Sequence, residues 1–408
     1  MATNALLTPS MITREALRIF KNTNLFLRNI DTQYDDSFAR SGAKIGDTLR
    51  IRLPNDYIVR NGKVASPQNT NERQVPLSVA TQKGVDIAFS SAERSLSLDD
   101  YSNRIILPAM NSLAGQIAVD VMSAVESASN LSFKGRNTAN STGTIATPDS
   151  AAWLDAGALL DMTSTPRVNA KGMRKAILDP RTQARTVDSM SGLFNNAQKI
   201  SDQYKTGEMG VNTLGLDWGM DQTVIQHTNG TYTAGAVAGA SQTGSSLTVA
   251  AITGTFVKGD IIVIAGVFGV NPVTKQSTGE LRQFAVTANV SAGATTIPIY
   301  PAITPGNVAY GTVTASPANG ALITLVGGAG TTFRKNFILD PMAITMATAD
   351  LELPRGVHEA YREAYDGVSM RMITAYDVTN DDFITRLDVL YGFTAVRPEW
   401  ICGVADIQ

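Results

Sequence analysis

The chain has 408 residues, 43% of them hydrophobic, a formal net charge of −2 and one cysteine. That length exceeds a single simple core, so two or three packed units are expected. The near-neutral balance excludes a dedicated nucleic-acid binder, which carries a strongly basic face to displace phosphate counterions, and Cys402 alone excludes an intrachain disulfide. Residues 1–14 lack the basic flank and apolar run of a secretory signal, so cytoplasmic synthesis and folding are expected. The most apolar run, 261–270, is about half of the ~20 residues needed to cross a bilayer, so no membrane span is expected.

At the start, Thr8, Pro9 and Ser10 precede Ile12, Ala16, Ile19 and Phe20 at helical spacing, with Arg14, Arg18 and Lys21 on the polar side. This predicts a short amphipathic arm, docked on its own domain or reaching a partner. From Gly46 to Phe89 the pattern is of strands: Leu49, Ile51 and Leu53 alternate with Arg50 and Arg52, and Tyr57 to Val59, Val75 to Val79 and Val85 to Phe89 follow. A polar turn region from Asn61 to Arg73 lies between them. Such an excursion has too few apolar residues for a core of its own, so it must lie on its own domain or extend onto another subunit; the second is favoured.

Asp99 and Asp100 open the clearest helix, with Ile106, Met110, Leu113, Ile117, Val121, Val125 and Ala128 on one face. It would span roughly 43 Å, with a kink or a fresh start at Pro108. A polar loop follows from Asn130 to Pro148. Next come a helix from Ala151 to Met162, a strand from Lys175 to Leu178, a helix start at Asp179-Pro180-Arg181, and a helical or irregular stretch through Phe194 and Ile200 to Tyr204.

Between Thr228 and Thr332 the only charged side chains are Lys258, Asp260, Lys275, Glu280 and Arg282, while Gly, Ala, Thr, Ser and Val dominate. This marks an inserted β module with a buried strand at Ile261 to Val267. Phe337 to Ala347, Val368 to Tyr376 and Phe383 to Leu390 give three more strands, closing on Arg397-Pro398-Glu399. No fixed repeat period exists.

The chemical inventory is thin. His227 and His358 are the only histidines, and neither has metal-ligand spacing. His358 and Glu359 read as part of a surface helix, where neighbours point about 100° apart. Cys402 reads as a buried inert thiol. The acidic cluster Asp377, Asp381, Asp382 and Asp388 lacks the glycine of a calcium loop and reads as a polar turn with Asn380 and Asp381 at its tip. Val326 to Gly330 lacks the ending of a phosphate loop and reads as a linker. No G-x-S-x-G occurs. No catalytic residue, cofactor or metal ligand is assigned, and the chain is read as no enzyme.

Tyr391-Gly392-Phe393-Thr394-Ala395-Val396-Arg397-Pro398-Glu399, then Gly403-Val404, resembles the closing strand and tail of coat proteins of tailed double-stranded DNA phages, short-tailed Salmonella-phage type. Two further stretches fit: Lys258-Gly259-Asp260 through Ala265-Gly266-Val267, and Gly215-Leu216-Asp217. The resemblance implies an α+β Hong Kong 97-type capsid fold with an inserted β-barrel. Its implied segments are an N-terminal arm (1–40), an E-loop (41–92), a peripheral domain with a spine helix (93–135), an axial domain (136–226 and 334–367), the insertion (227–333), and a β hinge with the peripheral return (368–408).

The implied function is that of a major capsid protein, building pentamers and hexamers of an icosahedral shell around packaged double-stranded DNA, in a virion assembled in the host bacterial cytoplasm. The implied partners are other copies of the chain, a scaffolding protein, a portal, decoration proteins and, weakly and non-specifically, DNA. Intersubunit contacts are expected from the basic E-loop residues Arg50, Arg52, Lys63 and Arg73, laid across a neighbour's Asp99 and Asp100. Two departures stand out. Related coats place an aromatic and a histidine where this chain has Asn336 to Pro341, and charges where Thr231 to Ser246 has none. A β-rich tail-fibre or adhesion protein is the alternative.

Overall fold

The computed structural model describes residues 9–34, 48–90 apart from 66 and 71, 105–190, 212–378 apart from 366, and 382–407. The chain divides into two units, one from 1–52, 74–121 and 344–396, the other from 53–73, 122–343 and 397–408.

In the first unit a six-stranded sheet runs in the order Asp31–Tyr34, Ile344–Ala349, Asp382–Ala395, Val368–Asp377 and Glu359–Tyr365, with Thr81–Ser90 also paired to Asp382–Ala395. The helix Pro9–Thr23 packs on the strands Glu359–Tyr365 and Val368–Asp377. It buries Ala16, Leu17, Ile19 and Phe20 and leaves Arg14 and Arg18 outside. The amphipathic arm is therefore docked on its own sheet. Leu107–Met122 forms the long helix, continued by a 3-10 turn at Ser123–Ser127. Pro108 sits in its first turn, where a missing N–H leaves no bond unmade. Its buried face, Met110, Leu113, Ile117 and Val121, follows the predicted spacing.

The second unit is built on another six-stranded sheet, ordered Asn130–Ser132, Ile401–Ile407, Thr332–Leu339, Lys175–Leu178 and Asp217–Met220, with Gln226–Thr228 also paired to Thr332–Leu339. The helix Ser150–Met162 starts at the Asp149 cap, which accepts from Ala152 N, and buries Trp153, Ala156 and Leu160. These pack with Ala176, Leu178, Ile338, Cys402 and Val404.

The inserted module leaves this sheet through a stem in which Thr228 pairs with Thr332, their hydroxyls 2.9 Å apart. Its five strands run Gly244–Thr248, Thr296–Ile303, Ser277–Val286, Ile261–Val270 and Ile323–Leu325. The two edges are closed by one short segment: Ala236 bridges Leu322 and Val237 bridges Val249. The result is a small β-barrel filled by Phe256, Ile262, Ile264, Val267, Phe284, Ile297 and their neighbours.

The unbroken apolar run at 261–267 has a physical cause. Ile262 and Ile264 point into the barrel, while Ile261 and Val263 pack on the other face with Leu131, Phe133, Phe333 and Ala405. A strand buried on both faces cannot alternate with polar residues.

Four expectations are corrected. Glu359 begins a strand, not a surface helix, and His358 lies 5.4 Å from the Phe383 ring. The predicted single strand at 337–347 is two, Thr332–Leu339 and Ile344–Ala349. Between them Asp340 accepts from Met342 N in a local turn. Tyr57 to Val59 is irregular, because these residues have no strand partner. Asp388 belongs to no turn: it is buried and pairs with Arg371 at 2.7 Å and Arg386 at 2.8 Å. The residues Phe194, Ile200, Tyr204, Asn380 and Asp381 lie outside the described ones.

Candidate assembly surfaces

The extended loop is built from a two-stranded ribbon and a long irregular tip. In Thr48–Leu53 burial alternates, with Leu49 and Ile51 packed beside Leu77, Val79, Ala347 and Leu390. The period of two therefore turns Arg50 and Arg52 outward on one exposed face. Lys63, about ten residues on, is exposed in the tip.

Beyond the ribbon the loop is fastened before it is released. Asp56 forms an ion pair with Lys275 of the barrel and accepts from Tyr310 N at 2.9 Å, while Tyr310 Oη donates to Asn55 at 3.2 Å. Arg73, on the returning side, places its guanidinium 3.9 Å from the centre of the Tyr310 ring. The base of the loop thus lies on its own chain. Gln68 then bonds both the N–H of Ile58 (2.9 Å) and its C=O (2.5 Å), holding the two sides of the tip together. The tip itself exposes Tyr57, Val59 and Val64, the last two at 89% and 84%. Single exposed apolar residues are ordinary; here three fall on one excursion.

Of the six expected contact residues, Arg50 and Arg52 share a face and Lys63 is exposed. Arg73 is turned to Tyr310, and Asp99 and Asp100 lie outside the described residues.

Polar clusters that the sequence did not single out hold the barrel to the sheet beside it. Asp260 is fully buried. It accepts from Val257 N at 2.8 Å and Gly230 N at 3.1 Å, and lies 2.9 Å from His227 Nε2. The adjacent Gly259, at φ +95°, is packed so closely that a Cβ would meet Glu126 and His227 at 3.3 Å. Lys335 is also fully buried and donates to the carbonyl of Gly259 at 3.3 Å. Burial pushes its pKa down to about 8, with Glu126 and Asp260 working the other way. Arg136 bonds Asp155 at 2.5 and 2.7 Å and Glu280 at 3.2 Å. Burial opposes its charge, but the two carboxylates outweigh that and raise its pKa.

These groups brace the fold. The Cys402 thiol is buried, and that burial pushes its pKa up, away from thiolate chemistry. Among the described residues no group of three or more His, Cys, Asp or Glu could hold a metal ion, and no helix is long and apolar enough to cross a membrane.

Comparison with known proteins adds a family. The profile described as P22 coat protein, gene protein 5, matches residues 1–405. No curated protein sequence matches. Among solved structures, the capsid of Ralstonia phage GP4 is similar at 7% identity and TM-score 0.46, covering 93% of this chain and 86% of that one. A chain from Mycobacterium phage Che8 is similar at 11% identity and TM-score 0.43, covering 93% and 90%. The CUS-3 coat protein I-domain, 24% identical, covers 23% of this chain and 96% of its own, at TM-score 0.19.

Proposed function

The chain belongs to the P22 coat protein family, and from that premise we propose that its extended loop is the device by which one copy grips the next. It is a structural major capsid protein of a bacteriophage virion, and its self-association builds the shell. A docked arm, a long helix, an extended loop, the long strand Asp382–Ala395 and an inserted barrel support a Hong Kong 97-type reading of the fold.

The observation that carries the proposal is the contrast along the loop. Its base is fastened by Asp56 and Asn55, whereas its tip presents Tyr57, Val59 and Val64 to solvent. A shell gains stability from many such contacts, each individually weak. Arg50, Arg52 and Lys63 set the register against an acidic surface of the neighbour, with Asp99 and Asp100 as the counter-charges. Copies joined in this way would close as pentamers and hexamers of an icosahedral shell.

The remaining roles rest on the same reading. A scaffolding protein and a portal would act during assembly in the host cytoplasm, and decoration proteins would bind outside. Packaged DNA would meet a wall whose near-neutral charge holds it only loosely. The seven-segment division, from arm to β hinge, belongs to this proposal too. No catalysis is assigned, since the family role is structural and Cys402 is buried.

The test is to express the chain alone and examine it by sedimentation velocity and electron microscopy. Closed shells, tubes or spirals of hexagonal lattice are expected, with or without an added scaffold. The variant Arg50→Glu with Arg52→Glu is expected to stay folded and lose most assembly. Normal assembly of that variant would remove the charged register, and a homotrimeric rod from the native chain would overturn the shell.

A further inference from the structure

Asn is followed by Gly three times in the chain, at Asn61-Gly62, Asn229-Gly230 and Asn319-Gly320. The pair is chemically labile, because glycine has no Cβ to keep its backbone nitrogen away from the amide carbon of the preceding side chain. All three pairs lie in the second unit, yet the fold treats them differently. Asn229 is buried, and its Nδ2 donates to the carbonyls of Val326 at 3.0 Å and Gly328 at 2.8 Å, while Gly230 N donates to Asp260 at 3.1 Å. Asn319 is exposed, but its side-chain oxygen accepts from Gly239 N at 2.8 Å, and Gly320 N donates to the Val237 carbonyl at 2.8 Å. In both pairs the amide and the nitrogen that would attack it are held by other partners.

Asn61 and Gly62 lie exposed in the loop tip, and among the described residues neither the Asn61 side chain nor Gly62 N has a hydrogen-bond partner. Gly62 sits at φ +92°, and a Cβ built on it would meet nothing within 4 Å, so no neighbour hinders an approach. We propose that Asn61-Gly62 is a self-modification site, at which the loop closes a succinimide and water opens it to aspartate or isoaspartate.

The reaction needs only water and hydroxide. Gly62 N gives its proton to hydroxide and attacks Asn61 Cγ; a C–N bond forms as the Cγ–Nδ2 bond breaks, and Nδ2 leaves as ammonia with a proton from water. Water then adds to one of the two ring carbonyls. Opening at Cγ restores the main chain with an aspartate, whereas opening at the Asn61 backbone carbonyl gives isoaspartate, whose main chain is one carbon longer. Arg60 and Lys63 flank the pair, and Arg60 donates to the Gly62 carbonyl. Positive charge nearby favours the deprotonated nitrogen that attacks.

Either product places a carboxylate between Arg60 and Lys63, and isoaspartate also displaces Lys63 and Val64 along the chain. The consequence for assembly rests on the reading that this tip grips a neighbouring copy: a converted subunit joins poorly, so the chemistry ages copies left unassembled.

The experiment incubates the native chain, kept dilute and unassembled, at mildly alkaline pH and follows the three pairs by peptide mass spectrometry. The chain unfolded in denaturant is the reference. In the native chain Asn61 is expected to convert about tenfold or more faster than Asn229 and Asn319, and in the unfolded chain all three at similar rates, because only the fold protects the other two. Gly62→Ala, whose Cβ shields the nitrogen, is expected to slow conversion markedly. The proposal is overturned if native Asn61 converts no faster than the two held pairs, or if Gly62→Ala converts as fast as the native chain. Converted chain is then assembled beside Asn61→Gln chain incubated for the same time, since the longer side chain disfavours the five-membered ring. Loss of assembly in the converted chain alone supports the ageing role. Full assembly of converted chain leaves the modification site standing and removes the tip from the contact.

Discussion

The barrel at 228–332 and the loop at 53–73 are both excursions from the main sheets, yet they use their residues in opposite ways. The barrel is poor in charge and rich in apolar β-branched residues, so it closes on itself, with Ala236 and Val237 stitching its two edges. The loop is rich in charge and poor in apolar residues, so it forms no core and is held by borrowed contacts at Asp56 and Arg73. Substitutions in the barrel should therefore be read in folding, and substitutions in the loop tip in assembly.

The sharpest test of that division is Asp260→Ala. One carboxylate holds Val257 N, Gly230 N and His227 together in a buried site, and its removal leaves each without its partner. A loss of about 3–5 kcal/mol is expected in denaturant unfolding. A loss below about 1 kcal/mol would mean that the barrel does not depend on its stem.

Ile264→Ala comes next. Its side chain is fully buried in the barrel core, so truncation removes contacts and leaves a cavity worth about 2–5 kcal/mol. The altered chain should still assemble at temperatures where it remains folded, which separates a core role from a contact role.

Much of this division was legible in the residues. The scarcity of charge marked the barrel, and helical periodicity marked Pro9–Thr23 and Leu107–Met122, because both signals come from local burial patterns. The brace at Asp260 was not legible, since its partners His227 and Gly230 stand about thirty residues away and meet only through the stem. Glu359–Tyr365 was misread because its edge position leaves it half-exposed, without the alternation that marks a strand. The loop was half-read: its basic residues were visible, but the Tyr310 contact that captures Arg73 depends on a pairing 237 residues distant.

A third test uses pH. The Lys335 pKa falls from 10.5 to about 8 in the folded chain, so between those values the unfolded chain binds more protons. Stability from this residue therefore rises with pH across that window, by at most ~3 kcal/mol. Tyr300 and Tyr391 have raised pKa values and act in the opposite sense at high pH. The readout is accordingly the stability of the native chain minus that of Lys335→Met, which should rise from pH 8 to 10.5. A flat difference would show that Lys335 is solvated in solution.

The smallest expected change in stability carries the largest consequence for the shell. Val59→Ser with Val64→Ser alters two side chains that touch almost nothing in the subunit, so unfolding should shift by no more than about 0.5 kcal/mol. In a shell the same two positions recur in every copy, and a small loss at each contact multiplies across the lattice. Assembly followed by light scattering should then need a markedly higher protein concentration, with the monomer intact by sedimentation. If assembly is unchanged, the tip is not the grip, and the contact must come from the exposed arginine face at Arg50 and Arg52 alone.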